Sequence, residues 1–270
     1  MKPTKFISSS ANDQFKQLKK IAHTNKERKR SQLALLDGAH LIKSLAQHHQ
    51  QPTSLFIRQG VIYSNPEIVS TLKLFPNVNV TEITSELFGE ISPVETPTGI
   101  LALCAIKQPT PKAYELGVLL DRIQDPGNLG AIFRTAAAAG AKAVHLSKGC
   151  TDAWSPKALR AGMGAHFGLD IYENTDITET AQNFTTIIAT SLQTTQSIYQ
   201  IDLTGNLAFL FGNEGSGLSP ELIEIANQKV TIPMPSKIES LNVAAACAVC
   251  LFERVRQLEN KTWNKTWNKT

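Results

Sequence analysis

The chain has 270 residues, of which 42% are hydrophobic and 19% charged, a composition typical of a folded protein with one large or two ordinary domains. No stretch reaches about 18 consecutive apolar residues, which argues against a membrane-embedded function. The N-terminus lacks the character of a signal peptide, so we predict a cytoplasmic protein.

The formal net charge of +4 is unevenly distributed along the chain. The first thirty residues contain nine lysines and arginines and only two acidic residues, so the remainder carries net negative charge. A short run of charge is usually a solvated face, but this density favours a polyanion as partner. We therefore predict that Arg28, Lys29 and Arg30 contact nucleic acid.

The N-terminal half has the pattern of a small α/β domain. A basic helix is predicted at 11–22, with further helices at about 66–73 and 84–90. The strand candidates are Leu33–Leu36, Ser54–Ile57, Val78–Thr81 and Gly99–Ile106. We assign this domain to residues 1–106. Residues 107–116 form the predicted linker, because they begin with a polar segment that contains two prolines.

From Gly117 onward, apolar runs alternate with helical stretches. The runs are Val118–Ile123, Ala143–Leu146, Thr186–Ala189, Leu207–Phe211 and Val230–Ile232. This alternation predicts a mainly parallel sheet covered by helices, with ligands at the carboxyl ends of the strands. The second domain is assigned to residues 117–258. Residues 259–270 repeat Lys-Thr-Trp-Asn and are predicted to be a low-complexity, disordered tail.

Two loops of this second domain have unusual composition. The run Leu207–Phe211 leads into a loop with three glycines, at 212, 215 and 217, that carries the carboxylate of Glu214. A helix then begins, with Ser219 as its N-cap and Pro220 at its first position. The run Val230–Ile232 is followed by prolines at 233 and 235, so the chain must leave the sheet there as an irregular loop.

A third loop follows the first apolar run of this domain. Asp125-Pro126-Gly127 predicts a turn, and Asn128 is a good N-cap for a helix that stops at Gly140. Arg134 lies one turn beyond Gly130, so its guanidinium can point back toward the loop mouth. We favour this over a surface salt bridge. The run Ala136–Ala139 offers a smooth face for the sheet or for another subunit.

The four cysteines give no sign of a metal or redox site. Cys247 and Cys250 have CxxC spacing, but they lie within an apolar helical pattern, with no second pair and no histidine cluster. We interpret them as buried core thiols and predict no metal.

Three motifs together resemble one known family. DPGNLGAIFRTAAAAGA, FLFGNEGSGLS and IPMPSKIESLNVAAACAVCLFE are similar, in order and spacing, to the successive motifs of the SpoU (TrmH-like) RNA ribose 2′-O-methyltransferases of the SPOUT superfamily. The resemblance is close over residues 118–256. The segment KERKRSQLALLDGAHLIKSL and the junction around Gly99 also resemble the family's N-terminal substrate-binding domain.

The resemblance implies a fold, a cofactor and an assembly. It implies a deep trefoil knot in the C-terminal domain, which no periodicity argument would predict. It also implies S-adenosylmethionine as cofactor and a homodimer formed through the C-terminal domain. Backbone groups of four residues are the implied contacts to the cofactor, and Leu192 is a weaker candidate; the four are Gly212, Ile232, Met234 and Leu241.

The resemblance also implies catalytic roles. Arg134 is then the central residue, and its helpers are Asn128, Glu214, Ser240 and Asn242. Arginine is difficult to deprotonate, so a role in holding phosphate and hydroxyl is physically easier, and the proton acceptor stays open. Arg160 in SPKALRAGMGAHF is implied to contact RNA or the partner subunit. The family usually has serine where this chain has Gly162, which puts a hydroxyl contact there in doubt.

Several functions compete at this stage. The two-domain organisation favours 23S ribosomal RNA over tRNA as the substrate of a ribose 2′-O-methyltransferase. A non-catalytic RNA-binding protein of the same fold is the main rival, but all five implied catalytic residues are present. A dinucleotide-dependent oxidoreductase is disfavoured, because no G-x-G-x-x-G follows the first strand of the second domain.

Overall fold

The computed structural model describes residues 3–94, 96–191 and 194–267, and the side chains among them up to residue 261. The chain forms two compact units. The first comprises Met1–Lys107 and Asp152–Phe167, and the second comprises Gln108–Thr151 and Gly168–Thr270. Among the described residues, no helix is both long and apolar enough to cross a membrane.

The first unit is built on a mixed sheet. Its strands are β1 (Lys5–Ile7), β2 (Leu33–Asp37), β3 (Ser54–Arg58), β4 (Val80–Ile83) and β5 (Ile100–Ala105). They lie in the order β1-β4-β3-β5-β2. The pairs of β4 with β1 and β3 are parallel, whereas β5 is antiparallel to both of its neighbours. The sequence predicted β2 to β5 to within two residues at each end and missed β1.

Helices cover this sheet. They are α1 (Asp13–His23), α2 (Asn25–Ser31), α3 (Ala39–Gln47), α4 (Pro66–Lys73) and α5 (Ser85–Ile91). Phe15 and Ile21 of α1 and Phe88 of α5 are fully buried against β2, β3 and β5 in one apolar cluster. The predicted basic helix is therefore amphipathic. Its apolar face belongs to the core of the unit, and its lysines point outward.

The second unit is a six-stranded sheet in which every pair of neighbours is parallel. Its strands are β6 (Leu116–Leu120), β7 (Ala143–Ser147), β8 (Asp170–Thr175), β9 (Thr186–Thr190), β10 (Leu207–Phe211) and β11 (Gln228–Val230), in the order β11-β9-β10-β6-β7-β8. The predicted parallel sheet is confirmed. The sequence missed β8, an edge strand whose residues DIYENT form no apolar run.

The remaining helices are α6 (Pro126–Ala138), α7 (Pro156–Gly162), α8 (Ile177–Ala181), α9 (Pro220–Glu224) and α10 (Val243–Trp267). Helices α8 and α9 contribute to an apolar cluster with β6, β9 and β10. Helices α6 and α10 pack against each other, and Ala136 of the alanine run is buried. Cys247 and Cys250 of α10 are buried thiols, as predicted. The implied trefoil knot stays a prediction.

Helix α10 extends further than the sequence predicts. It reaches Trp267, whereas residues 259–270 were predicted to be a disordered tail. No glycine or proline lies between Val243 and Trp267, so nothing in the sequence stops the helix. The structure therefore continues α10 into residues 259–267, and the disorder of the tail stays a prediction.

The segment 152–167, which contains α7, packs with the first unit although it lies between two strands of the second. The Asp152 carboxylate pairs with the guanidinium of Arg28 at 2.7 Å, and both side chains are more than 90% buried. Gly164 lies so close to α3 that an added Cβ would be 2.5 Å from the Ser44 hydroxyl. The expected domain bounds of 1–106 and 117–258 had placed this segment in the second domain.

Candidate active site

The glycine loop that follows β10 is held in shape by Asn213. The Asn213 side-chain oxygen accepts hydrogen bonds from the backbone N–H groups of Gly215 and Ser216, both at 2.9 Å. Its amide nitrogen donates to the Arg122 carbonyl at 2.9 Å. A Cβ on Gly212 would lie 2.2 Å from the Gly217 carbonyl carbon, so the closed loop requires glycine at 212.

Glu214 joins this loop to the start of α6. Its carboxylate accepts hydrogen bonds from the backbone N–H groups of Gln124 at 3.0 Å and Asp125 at 3.1 Å, and from the Asn128 side chain at 3.1 Å. Burial acts to raise the pKa of Glu214, but these donors outweigh it and the pKa is lowered. The carboxylate is therefore held in its charged form and fixed in orientation.

Asn128 continues the same network toward α10. Its side-chain oxygen accepts a hydrogen bond from the Asn242 amide at 2.9 Å, and the Asn242 oxygen accepts one from the backbone N–H of Ala244 at 2.9 Å. The N-cap of α6 is Asp125 and not Asn128 as predicted, because Pro126 occupies the first helical position. Asn128 lies in the first turn, where its side chain is free to bridge Glu214 and Asn242.

A cavity of about 510 Å³ opens at the carboxyl ends of β9, β10 and β11. Its floor includes the buried side chains of Phe211, Leu218 and Val230. Its rim is exposed and polar. Eight of the predicted site residues line it, namely Asn128, Gly212, Glu214, Ile232, Met234, Ser240, Leu241 and Asn242. Leu192 lies outside the described residues, but the neighbouring Ser191 lines the cavity.

Two family models match the chain. Residues 115–252 match the SpoU rRNA Methylase family, and residues 12–102 match the MRM3-like substrate binding domain. The chain belongs to the SpoU rRNA methylase family.

Similar proteins agree with this assignment over almost the whole chain. An uncharacterized tRNA/rRNA methyltransferase of Synechocystis is 35% identical over 93% of each chain. The 23S rRNA (guanosine(2553)-2′-O)-methyltransferase RlmP of Bacillus subtilis is 30% identical over 92% of this chain and 98% of its own. The crystal structure of an AdoMet-bound rRNA methyltransferase from Sinorhizobium meliloti aligns with a TM-score of 0.81 and 28% identity, over 94% of this chain and 98% of that one.

In this SpoU methylase, Arg134 is the one predicted catalytic residue that the cavity lining does not include. Its side chain is exposed on α6 and is not part of the cavity lining. Within the part of the chain that the structure describes, no hydrogen bond or ion pair occupies its guanidinium. The surface salt bridge considered from the sequence is therefore absent among these residues. The catalytic role of Arg134 stays a prediction.

The predicted RNA contacts of the first unit divide into buried and exposed residues. Arg28 is 5% exposed, and it also donates to the carbonyls of Ile21 and Ala22 at the end of α1. It is therefore a structural residue, which corrects the expectation that it faces RNA. Lys29 and Arg160 are exposed, as is Arg30, which pairs with Glu27 at 2.6 Å.

The sequence analysis of this methylase missed several residues of the site. Asp125 and Asn213 shape the two loops, and Thr190, Ser191 and Thr231 line the cavity. A signal existed for most of them. Pro126 marks Asp125 as the cap. Thr190 is the last residue of β9, and Ser191 and Thr231 directly follow β9 and β11, at the edge where a parallel sheet binds its ligands.

Proposed function

We propose that this protein transfers a methyl group from S-adenosylmethionine to a ribose 2′-hydroxyl of RNA, with 23S ribosomal RNA as the favoured substrate. The observation that carries the proposal is the bonded set Glu214, Asn128 and Asn242 at the rim of the cavity. This set joins all three motifs that carry the resemblance. RlmP, which acts on 23S rRNA, supports the choice of substrate.

The cavity fits the proposed cofactor in size and polarity. A volume of about 510 Å³ is in the range of ligand pockets, which are concave and mostly apolar with a few polar groups. The apolar floor suits the flat adenine, and the polar rim suits the charged amino-acid end. Backbone groups of Gly212, Ile232, Met234 and Leu241 are the proposed contacts. When bound, the cofactor supplies an activated methyl group on a sulfonium sulfur.

The residues at the rim would act by orienting the ribose. The amides of Asn128 and Asn242 are each fixed by a further hydrogen bond, so neither must be ordered when RNA binds. Alignment of two reactants can supply roughly 7 to 11 kcal/mol of the rate acceleration. Glu214 is a poor proton acceptor, because three N–H donors already stabilise its charge.

Arg134 is proposed to hold the RNA backbone next to the reacting hydroxyl. Its exposed guanidinium has five N–H donors in a planar fork, which matches the geometry of a phosphate group. Lys29, Arg30 and Arg160 of the first unit are proposed to contact phosphates farther along the RNA.

We also propose a homodimer formed through the second unit. Phe252 on α10 is 47% exposed, and Leu241, just before that helix, is 39% exposed. A dimer would bury them. Sedimentation of the full chain should give a dimer at micromolar concentration, and Phe252→Glu should shift it toward monomer. A parental protein that sediments as a monomer would contradict this proposal.

The proposed activity is tested by mapping 2′-O-methylation across total RNA from cells with and without the gene. We expect one ribose methylation to be lost from ribosomal RNA and to return with the parental gene. A variant that carries Asn128→Ala should fail to restore it. Unchanged methylation of all RNAs after deletion would overturn the proposal, and a loss confined to tRNA would correct the substrate.

A further inference from the structure

The side chains around the cavity carry charge of one sign. Two carboxylates, Glu214 and Glu239, line it. No lysine, arginine or histidine is among the described residues of the lining. The charged side chains in the described lining are therefore both acidic, which favours a cationic ligand over a neutral one.

The two carboxylates differ in how far their charge is already balanced. Glu214 accepts three hydrogen bonds from N–H donors of the protein. Glu239 is exposed, and among the described residues it has neither a hydrogen bond nor an ion pair. It follows Ile238 in the irregular loop between β11 and α10. Its charge is thus available to a ligand, whereas most of the charge of Glu214 is engaged by the protein.

We propose that Glu239 makes the cavity select the methyl donor over the demethylated product. This inference rests on the proposed use of S-adenosylmethionine. The donor carries a sulfonium, an ammonium and a carboxylate, and its net charge is positive. The product, S-adenosylhomocysteine, has a neutral thioether in place of the sulfonium and no net charge. A free carboxylate in the lining stabilises the positively charged donor more than the neutral product. The product therefore leaves more readily than the donor.

The size of the effect follows from Coulomb's law. The two ligands differ by one unit charge, and a cavity of this size places that charge within roughly a nanometre of Glu239. Because Glu239 is exposed, water and salt screen the interaction. Removal of its charge should therefore reduce the ratio of donor to product affinity by about three- to tenfold.

The inference is tested by calorimetric titration of the full-length protein with three ligands. They are S-adenosylmethionine, S-adenosylhomocysteine and methylthioadenosine, which lacks the amino-acid end. Glu239→Gln should weaken binding of the donor and leave the other two nearly unchanged. Glu239→Asp should keep most of the selectivity because it keeps the charge. Glu224→Gln, an exposed glutamate of α9 outside the cavity, should behave as the parent.

Ionic strength provides a second readout. The selectivity of the parental protein should shrink as salt rises, and that of Glu239→Gln should change little. Equal weakening of donor and product in Glu239→Gln would overturn the inference, because the carboxylate would then hold the ammonium that both ligands share. Unchanged affinities would overturn it as well. A parental protein that binds none of the three ligands would instead refute the proposed function.

Discussion

Charged residues serve different purposes at the buried pair of the first unit and at the cavity of the second. In the first unit, Arg28 and Asp152 pair with each other and are both more than 90% buried. In the second unit, Glu214 and Glu239 line an open cavity, and Arg134 is exposed on a helix. The buried pair has its charges satisfied within the protein, and three N–H donors satisfy most of the charge of Glu214. The exposed charges of Glu239 and Arg134 remain available to ligands. Burial thus separates the structural charges from those that can act in catalysis.

The largest effect should come from breaking the buried pair. Arg28→Ala leaves the Asp152 carboxylate buried without its cation, which should lower the free energy of unfolding of the first unit by about 3–5 kcal/mol. Hydrogen exchange of α1 and β2 amides measures this locally. Lys29→Ala is the control, because Lys29 is exposed on the same helix and its removal should cost less than about 1 kcal/mol. Equal effects of the two substitutions would contradict the structural role of Arg28.

A substitution in the glycine loop should reduce affinity for the cofactor, whereas breaking the buried pair reduces stability. In Gly212→Ala the new methyl group would meet the backbone of Gly217 and Leu218, so the loop must open. We expect affinity for S-adenosylmethionine to fall by more than about tenfold, since the proposed backbone contacts are displaced. Gly215→Ala is the matched control, because its methyl group would meet only the Asn213 side chain at an ordinary 3.6 Å. Calorimetric titration that finds parental affinity in Gly212→Ala would refute this role of the loop.

The smallest effect concerns the exposed lysines of the first unit. Removal of residues 1–30 is not a clean test, because β1, α1 and α2 belong to the packed unit. Neutralising Lys20, Lys26 and Lys29 together should instead weaken binding of ribosomal RNA and reduce the slope of log affinity against log salt by about 2. The control neutralises Lys73, Lys142 and Lys229, which are exposed elsewhere. If the slope of log affinity against log salt decreases equally in both triple variants, the basic segment has no special role in RNA binding.

The sequence predicted the elements that depend on apolar runs and turn residues. The strand Leu207–Phe211 and the cap at Ser219 were both found, because a fully buried strand followed by glycines and a Ser-Pro pair is a strong local signal. The parallel sheet was predicted from the alternation of apolar runs with helical stretches. Edge strands were harder. β8 was missed, and β11 lies two residues earlier than predicted, because polar residues such as Gln228 and Lys229 are tolerated at an edge.

The contacts between the residues of the site could not be predicted from the sequence. Asp125 and Asn128 are both good caps, and only the position of Pro126 distinguishes them. The run of basic residues at 28–30 gave no sign that Arg28 is buried, because its partner Asp152 lies 124 residues away. The bridge from Glu214 through Asn128 to Asn242 likewise joins positions 86 and 114 residues apart. Hydrophobic periodicity reports only on residues that are close in the sequence, whereas these contacts join residues that are far apart in it.

The exposed Arg134 offers the most direct test of the central claim, that the charges left free in the second unit serve methyl transfer. Arg134→Lys keeps the charge and loses the planar fork that would hold phosphate and hydroxyl together. Single-turnover transfer of labelled methyl to ribosomal RNA from cells lacking the gene, paired with calorimetric titration of S-adenosylmethionine, measures both consequences. We predict parental affinity for the cofactor and a transfer rate reduced by about a hundredfold or more. Transfer at the parental rate would contradict the account, because Arg134 would then be a surface charge without a role in the reaction.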